Sequence, residues 1–258
     1  MQDLTLALVQ TELVWEDAAA NRERLGGLLS DVADADVAIL PEMFSTGFSM
    51  ASAALAEPME GPTVAWMKEQ ARAGGRVVCG SFIAREADRF LNRFVWMRPD
   101  GTFEHYDKRH LFRMADEHRH YAEGRSRLVV ELGGWKICPL VCYDLRFHVW
   151  SRAAGTIDLY LYVANWPARR DQHWRTLLAA RAIENQAYVA GLNRVGVDGN
   201  GLNYCGSSLV TDFSGETIVD LGAHADVHTV RLARDPLEAW RADFPAHLDA
   251  DRYSIDVT

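Results

Sequence analysis

Apolar and polar positions along this chain follow two periods. Residues 4–10 (LTLALVQ) form a nearly unbroken apolar run, the pattern of a buried strand. Between 17 and 32, Leu25, Leu28, Leu29 and Val32 recur at i, i+3, i+4 and i+7, which places them on one face of an amphipathic helix. Asp36 to Leu40 is a second short apolar run, closed by Pro41, and predicts another buried strand. A helix over about 63–73 follows with Val64, Met67 and Ala71 on one face, and Gly74-Gly75 stops it. Strand, helix, strand, helix is a crossover unit that favours parallel pairing.

From Val77 the period shortens. Val77–Ala84, Leu91–Arg98 and Thr102–Asp107 read as strands, the last two turned by Pro99-Asp100-Gly101. Arg127–Leu132 and Trp135–Val141 make a second hairpin around Gly133-Gly134. Leu159–Ala164 is a strand, and a helix near 171–186 carries Trp174, Leu177, Leu178 and Arg181 at helical spacing. Tyr188–Leu192, Ser207–Phe213 and Thr217–Leu221 are further strands, with Asp198–Gly201 a turn. About ten strands and about four helices predict an α/β fold of two mixed sheets packed face to face with outer helices, an α-β-β-α sandwich. No linker or repeat interrupts the chain, so 1–258 reads as a single domain. Its residues from about 232, with Pro236 and Pro245, form a C-terminal arm with a short helix that needs something to pack against.

Composition narrows the partners. The 258 residues are 48% hydrophobic and 24% charged, ordinary for a folded protein with one sizeable core. A net charge of −9 argues against nucleic acid or an anionic membrane as partner. No 18-residue apolar run exists, and the acidic N-terminus lacks the pattern of a secretory signal, which predicts a cytoplasmic protein. Cys79, Cys138, Cys142 and Cys205 are too few and scattered for a disulfide framework, and none forms Cys-x-x-Cys.

Three reactive side chains share one context. Glu42, Lys108 and Cys142 each follow a predicted buried strand, and strand ends are rigid platforms whose loops converge on one cleft. Taken singly, each has a plain explanation: an inert core thiol, a solvated lysine, a capping glutamate. Cys142 gains weight because a strand-to-helix turn places a thiol where backbone N–H groups stabilise negative charge, in the manner of a nucleophile elbow. His118 and His120 resemble a metal-ligand pair on one strand face, yet no carboxylate or cysteine completes the set, and no metal or other cofactor is expected.

Ile39-Leu40-Pro41-Glu42-Met43-Phe44, Tyr106-Asp107-Lys108-Arg109-His110-Leu111-Phe112 and Val141-Cys142-Tyr143-Asp144-Leu145-Arg146-Phe147 resemble, in order, the three signatures of the nitrilase (carbon–nitrogen hydrolase) superfamily. Its omega-amidase branch is the nearest likeness, through Arg113-Met114-Ala115-Asp116-Glu117-His118, Tyr162–Pro167 and Ala180–Val189. The resemblance implies a triad of Glu42 as base, Lys108 as electrostatic stabiliser and Cys142 as nucleophile. It also implies a backbone oxyanion donor at Tyr143 and a thioester intermediate. A second glutamate about fifteen residues after the lysine is a family feature, which points to Glu123 as the residue positioning Lys108. The implied substrates are 2-oxo dicarboxylic acid monoamides such as 2-oxoglutaramate. Phe48 and Trp166 are then candidate apolar walls, and Arg113, Arg146 and Arg169 candidate carboxylate partners. A homodimer is implied as well. Competing readings are a nitrilase, an N-carbamoyl hydrolase or an amide-acyl transferase with the same triad, a non-catalytic binding protein, and a thiol sensor using Cys138 and Cys142.

Overall fold

The computed structural model describes residues 2–152, 156–251 and 253–255. The first half of the chain lays down β1 (Leu4–Gln10), α1 (Ala18–Ser30), β2 (Val37–Ile39), α2 (Pro62–Gly74), β3 (Val77–Glu86), β4 (Arg89–Met97) and β5 (Phe103–Asp107). The second half begins with β6 (Val130–Leu132), β7 (Trp135–Val141), β8 (Leu159–Ala164), α3 (Asp171–Asn185) and β9 (Tyr188–Asn193). It continues with β10 (Val195–Val197), β11 (Asn203–Cys205), β12 (Leu209–Thr211), β13 (Thr217–Asp220), β14 (Asp226–Leu232) and α4 (Arg234–Asp243), with one-turn helical segments between.

Two six-stranded mixed sheets result, ordered β14-β1-β2-β3-β4-β5 and β13-β12-β9-β8-β7-β6. Each has three parallel strands at its centre, β1–β3 in one and β7–β9 in the other, flanked by antiparallel neighbours. The alternation along β1 and β2 sorts the layers. Leu4, Leu6, Leu8, Val37 and Ile39 join the residues of the second sheet in one core, whereas Ala7, Val9 and Ala38 pack with Leu25 and Leu29 of α1 and Val64, Met67 and Ala71 of α2. On the far side, Trp174, Leu178 and Ala182 of α3 cover the second sheet. The α-β-β-α sandwich expected from the pattern is therefore the architecture observed.

Three regions depart from the periodic reading. β14 was not anticipated: only Val230 and Leu232 of its seven residues are buried, because it is an edge strand placed by antiparallel pairing with β1. β10 and β11 form a separate hairpin across the Asp198–Gly201 turn. His118 and His120 lie in a single helical turn, Glu117–His120, rather than on a strand. Among the described residues no three His, Cys, Asp or Glu side chains group as a metal site. The α4 helix is tied back through Arg241, which reaches Asp158, the Ile157 carbonyl and the Gln186 carbonyl. Residues 256–258 of the arm lie outside the described residues. No described helix is long and apolar enough to cross a membrane.

Candidate active site

The carboxyl ends of β2, β5, β7 and β8 open toward one another, the usual place for a ligand site in parallel α/β sheets. Beyond β2 the chain is held to β3, with the Met43 N–H donating to Ser81 Oγ (2.9 Å) and the Phe44 N–H to the Ser81 carbonyl (3.0 Å). That clamp buries Glu42 completely. Lys108 follows β5, its N–H donating to the Asn92 carbonyl of β4 at 3.0 Å, and it too is fully buried. Its ammonium donates to Glu42 Oε1 at 2.9 Å and to Glu117 at 2.9 and 3.0 Å. Asn92 Nδ2 donates to Glu42 Oε1 at 2.8 Å and to Glu117 at 3.3 Å, and the Asn165 N–H donates to Glu42 Oε2 at 2.8 Å.

Cys142 ends β7 at φ +46°, a left-handed backbone that a non-glycine residue adopts only when its surroundings impose it, at a cost of about 1–3 kcal/mol. Both ends of its turn are fixed. Asp144, fully buried, accepts from the Val141 N–H (3.0 Å), Tyr106 Oη (2.8 Å), the His110 N–H (3.0 Å) and His110 Nδ1 (2.8 Å). Arg181 of α3 donates twice to the Leu145 carbonyl, at 2.7 and 3.1 Å. The expected helix after Cys142 is instead a 3-10 turn over Cys142–Arg146, so an aligned helix dipole is largely missing and side chains supply the electrostatics.

Burial alone would push the Lys108 ammonium toward its neutral form, but Glu117 and Glu42 outweigh burial and raise its pKa. Burial raises the Glu117 carboxyl, with Lys108 opposing and Glu42 adding to the rise. The Cys142 thiol is raised well above its ordinary value by burial and then by Glu42, against which Lys108 acts. Burial and Glu42 thus both favour the neutral thiol over the thiolate.

A cavity of about 370 Å³ opens over this cluster, and Cys142 is the one of the three reactive side chains that lines it. Phe48, Tyr143, Arg146, Trp166 and Arg169 also line it, together with Arg170, which the sequence did not single out. Lys108 Nζ stands 5.1 Å from the Phe48 ring centre. Arg113 is exposed and stands outside the cavity lining, so it is not a carboxylate partner for a ligand held there.

Glu123 requires the main correction. Its side chain is 47% exposed and pairs with Arg109 at 2.9 Å, not with Lys108. The buried second carboxylate is Glu117, nine residues from Lys108. The 3-10 turn at Arg113–Ala115, with Asp116 at φ +56°, folds the chain back so tightly that Glu117 also accepts the Phe112 N–H at 2.5 Å. Glu117 lies within Arg113–His118, a segment that carries the omega-amidase likeness, but a spacing of fifteen residues from Lys108 passes over it. The neighbour of Glu123 that does reach Lys108 is Gly124, whose N–H donates to the Lys108 carbonyl at 2.9 Å. A Cβ at Gly124 would lie 1.9 Å from the Asp107 carbonyl oxygen. Gly124→Ala is expected to destabilise the fold by about 2 kcal/mol or more, read as a lowered midpoint in chemical denaturation.

The remaining thiols differ in kind. Cys79 and Cys138 are fully buried strand residues whose pKa values burial raises, that of Cys138 to about 12. Four residues of extended strand put Cys138 and Cys142 about 13 Å apart, roughly twice the Cα separation a disulfide tolerates. The thiol-sensor reading fails on that geometry.

The family model for carbon-nitrogen hydrolase matches residues 5–242. The chain is 50% identical over 257 residues to the omega-amidase YafV of Yersinia enterocolitica, covering 99% of this chain and 100% of that one. It is 35% identical over 193 residues to the 2-oxoglutaramate amidase of Bacillus subtilis (strain 168), covering 73% and 74%. Among solved structures, XC1258 from Xanthomonas campestris, a CN-hydrolase superfamily protein with an arsenic adduct in its active site, matches with a TM-score of 0.97 at 47% identity, covering 99% of this chain and 100% of that one.

Proposed function

The chain belongs to the carbon–nitrogen hydrolase family, and from that premise we propose that it hydrolyses the terminal amide of 2-oxo dicarboxylic acid monoamides, such as 2-oxoglutaramate and 2-oxosuccinamate, to the dicarboxylate and ammonia. The observation that carries the mechanism is the buried contact of Lys108 with Glu42 at 2.9 Å beside the one thiol that opens into the cavity.

Cys142 attacks the amide carbon as Glu42 takes its proton. The resting thiol is neutral, so deprotonation accompanies attack instead of preceding it. Lys108 donates to Glu42 Oε1 and to both oxygens of Glu117, and one of the two Glu117 contacts gives way so that an ammonium proton meets the oxyanion alongside the Tyr143 N–H. Protonated Glu42 returns its proton to the leaving nitrogen, ammonia departs and a thioester remains. Water deprotonated by Glu42 then attacks the thioester carbonyl, releasing the carboxylate and restoring the thiol. No cofactor enters this scheme.

Glu117 is a positioning residue here: it holds Lys108 protonated and aimed. Glu117→Gln is expected to lower kcat about 100- to 1,000-fold, whereas Glu123→Gln changes it less than about 3-fold, both measured as ammonia release. Equal effects of the two substitutions would reverse the assignment. For the substrate, kcat/KM on 2-oxoglutaramate should exceed that on an aliphatic nitrile or an N-carbamoyl amino acid by about 100-fold or more. Turnover of the nitrile alone would make the protein a nitrilase, and silence on all substrates a binding protein.

We further read residues 1–258 as one cytoplasmic hydrolase domain that acts as a homodimer. Exposed Trp240, Phe244 and Leu248 on α4 and the arm support a self-association surface. Light scattering at micromolar concentration should give twice 28.9 kDa, and a monomer would overturn this.

A further inference from the structure

Three guanidinium groups, Arg146, Arg169 and Arg170, line the cavity, and no carboxylate of a described residue pairs with any of them. The one acid in the lining, Asp198, is committed elsewhere, accepting from the Asn200 and Leu202 N–H groups at 2.9 and 3.0 Å and from Tyr204 Oη at 2.9 Å. In a chain of net charge −9, uncompensated positive charge gathered at one cavity is an anion site in waiting.

The three are not equivalent. Arg146 is stacked over Trp166 at 4.9 Å and stands 3.0 Å from His173 Nδ1, so its fork is partly occupied. Arg169 is exposed, and its contact is with the Met114 sulfur at 3.7 Å. Arg170 is half-buried, and its guanidinium makes no hydrogen bond within the described residues. Its backbone is pinned, the carbonyl accepting from Trp166 Nε1 at 2.8 Å and the N–H donating to the Pro167 carbonyl at 2.9 Å. Its guanidinium lies 5.1 Å over the Phe112 ring, and the Phe112 N–H is in turn held by Glu117. Arg170 and Cys142 line the same cavity.

We propose that Arg170 is the specificity-determining residue of this site, gripping the carboxylate of an ω-amide substrate bidentately while the amide end meets Cys142. This rests on the amidase reading above and adds the residue by which the site selects linear amides with an anionic group at the opposite end. Phe112 covers one face of the guanidinium and leaves its edge donors to the ligand, the geometry a planar carboxylate matches. A neutral amide of equal length leaves Arg170 half-buried and unpaired, and is rejected for that reason. Because the carboxylate is remote from the reacting carbon, its grip is equal in ground and transition states and reads mainly in KM.

The test compares 2-oxoglutaramate with pentanamide, and the dicarboxylate product 2-oxoglutarate as a binding probe by calorimetry. Arg170→Gln should raise KM for 2-oxoglutaramate about 100-fold with kcat within about 3-fold, and change kcat/KM for pentanamide less than about 3-fold. Arg170→Lys, which keeps the charge and loses the fork, should raise KM about 10-fold, and Arg113→Gln should match wild type. Binding of 2-oxoglutarate should weaken in parallel. Wild-type turnover with KM and binding unchanged in Arg170→Gln, or equal losses on both amides, overturns the assignment of Arg170. Wild-type protein that binds 2-oxoglutarate through Arg170 yet releases no ammonia from 2-oxoglutaramate overturns the amidase reading and leaves the anion site standing.

Discussion

Cys142→Ala is expected to lower kcat for 2-oxoglutaramate by at least about 10⁵-fold with the denaturation midpoint nearly unchanged. The residue is 9% exposed, and its loss removes a single sulfur that lines the cavity. The turn around it is held by Asp144 and Arg181 through backbone groups that the substitution leaves intact. Chemical labelling gives an independent reading. Iodoacetamide, itself a small amide, should alkylate Cys142 in preference to Cys79 and Cys138, which are fully buried in strands. Labelling of all four cysteines at one slow rate would remove the basis for calling Cys142 the nucleophile.

The second large effect is expected at Glu42. Glu42→Gln should lower kcat about 10³- to 10⁴-fold and slow alkylation of Cys142, because the raised thiol then lacks the base that takes its proton. A stability loss should accompany it. Both Glu42 oxygens face donors, Lys108 and Asn92 at one and the Asn165 N–H at the other, so a glutamine must turn its NH₂ toward a donor. That mismatch costs about 1–3 kcal/mol. Glu42→Asp keeps the charge and separates the two effects: if catalysis depends on the carboxylate as a base, Asp should retain more of kcat than Gln. Alkylation as fast in Glu42→Gln as in wild type would mean that the thiol is activated by some other group.

Glu42, Lys108 and Cys142 were legible before any fold existed because each sits just past a strand that local hydrophobicity marks. The distance from a strand end to a reactive side chain is a matter of one to three residues, too short for loop conformation to scramble. Glu117 lay beyond that limit. Whether Glu117 or Glu123 turns inward depends on one left-handed residue, Asp116, and the tight turn before it, and no spacing rule encodes that choice. Arg170 was hidden for a related reason. In Ala168-Arg169-Arg170 only the direction of a single 3-10 turn decides which arginine meets solvent and which meets Phe112.

The same division runs through the fold. Core strands and the faces of α1 and α2 follow from periodicity, because burial on one or both faces dictates which residues are apolar. By itself, then, the sequence determined the layered α/β architecture and the strand ends on which the reactive groups stand. Only the tertiary structure decided that β14, mostly polar, closes the first sheet by pairing with β1, that Glu117 rather than Glu123 joins Lys108, and that Arg170 faces the cavity. Periodicity is a local consequence of burial. An edge pairing across more than 200 residues, an inward carboxylate and an unpaired guanidinium are set by contacts between segments that carry no mark of one another in the chain.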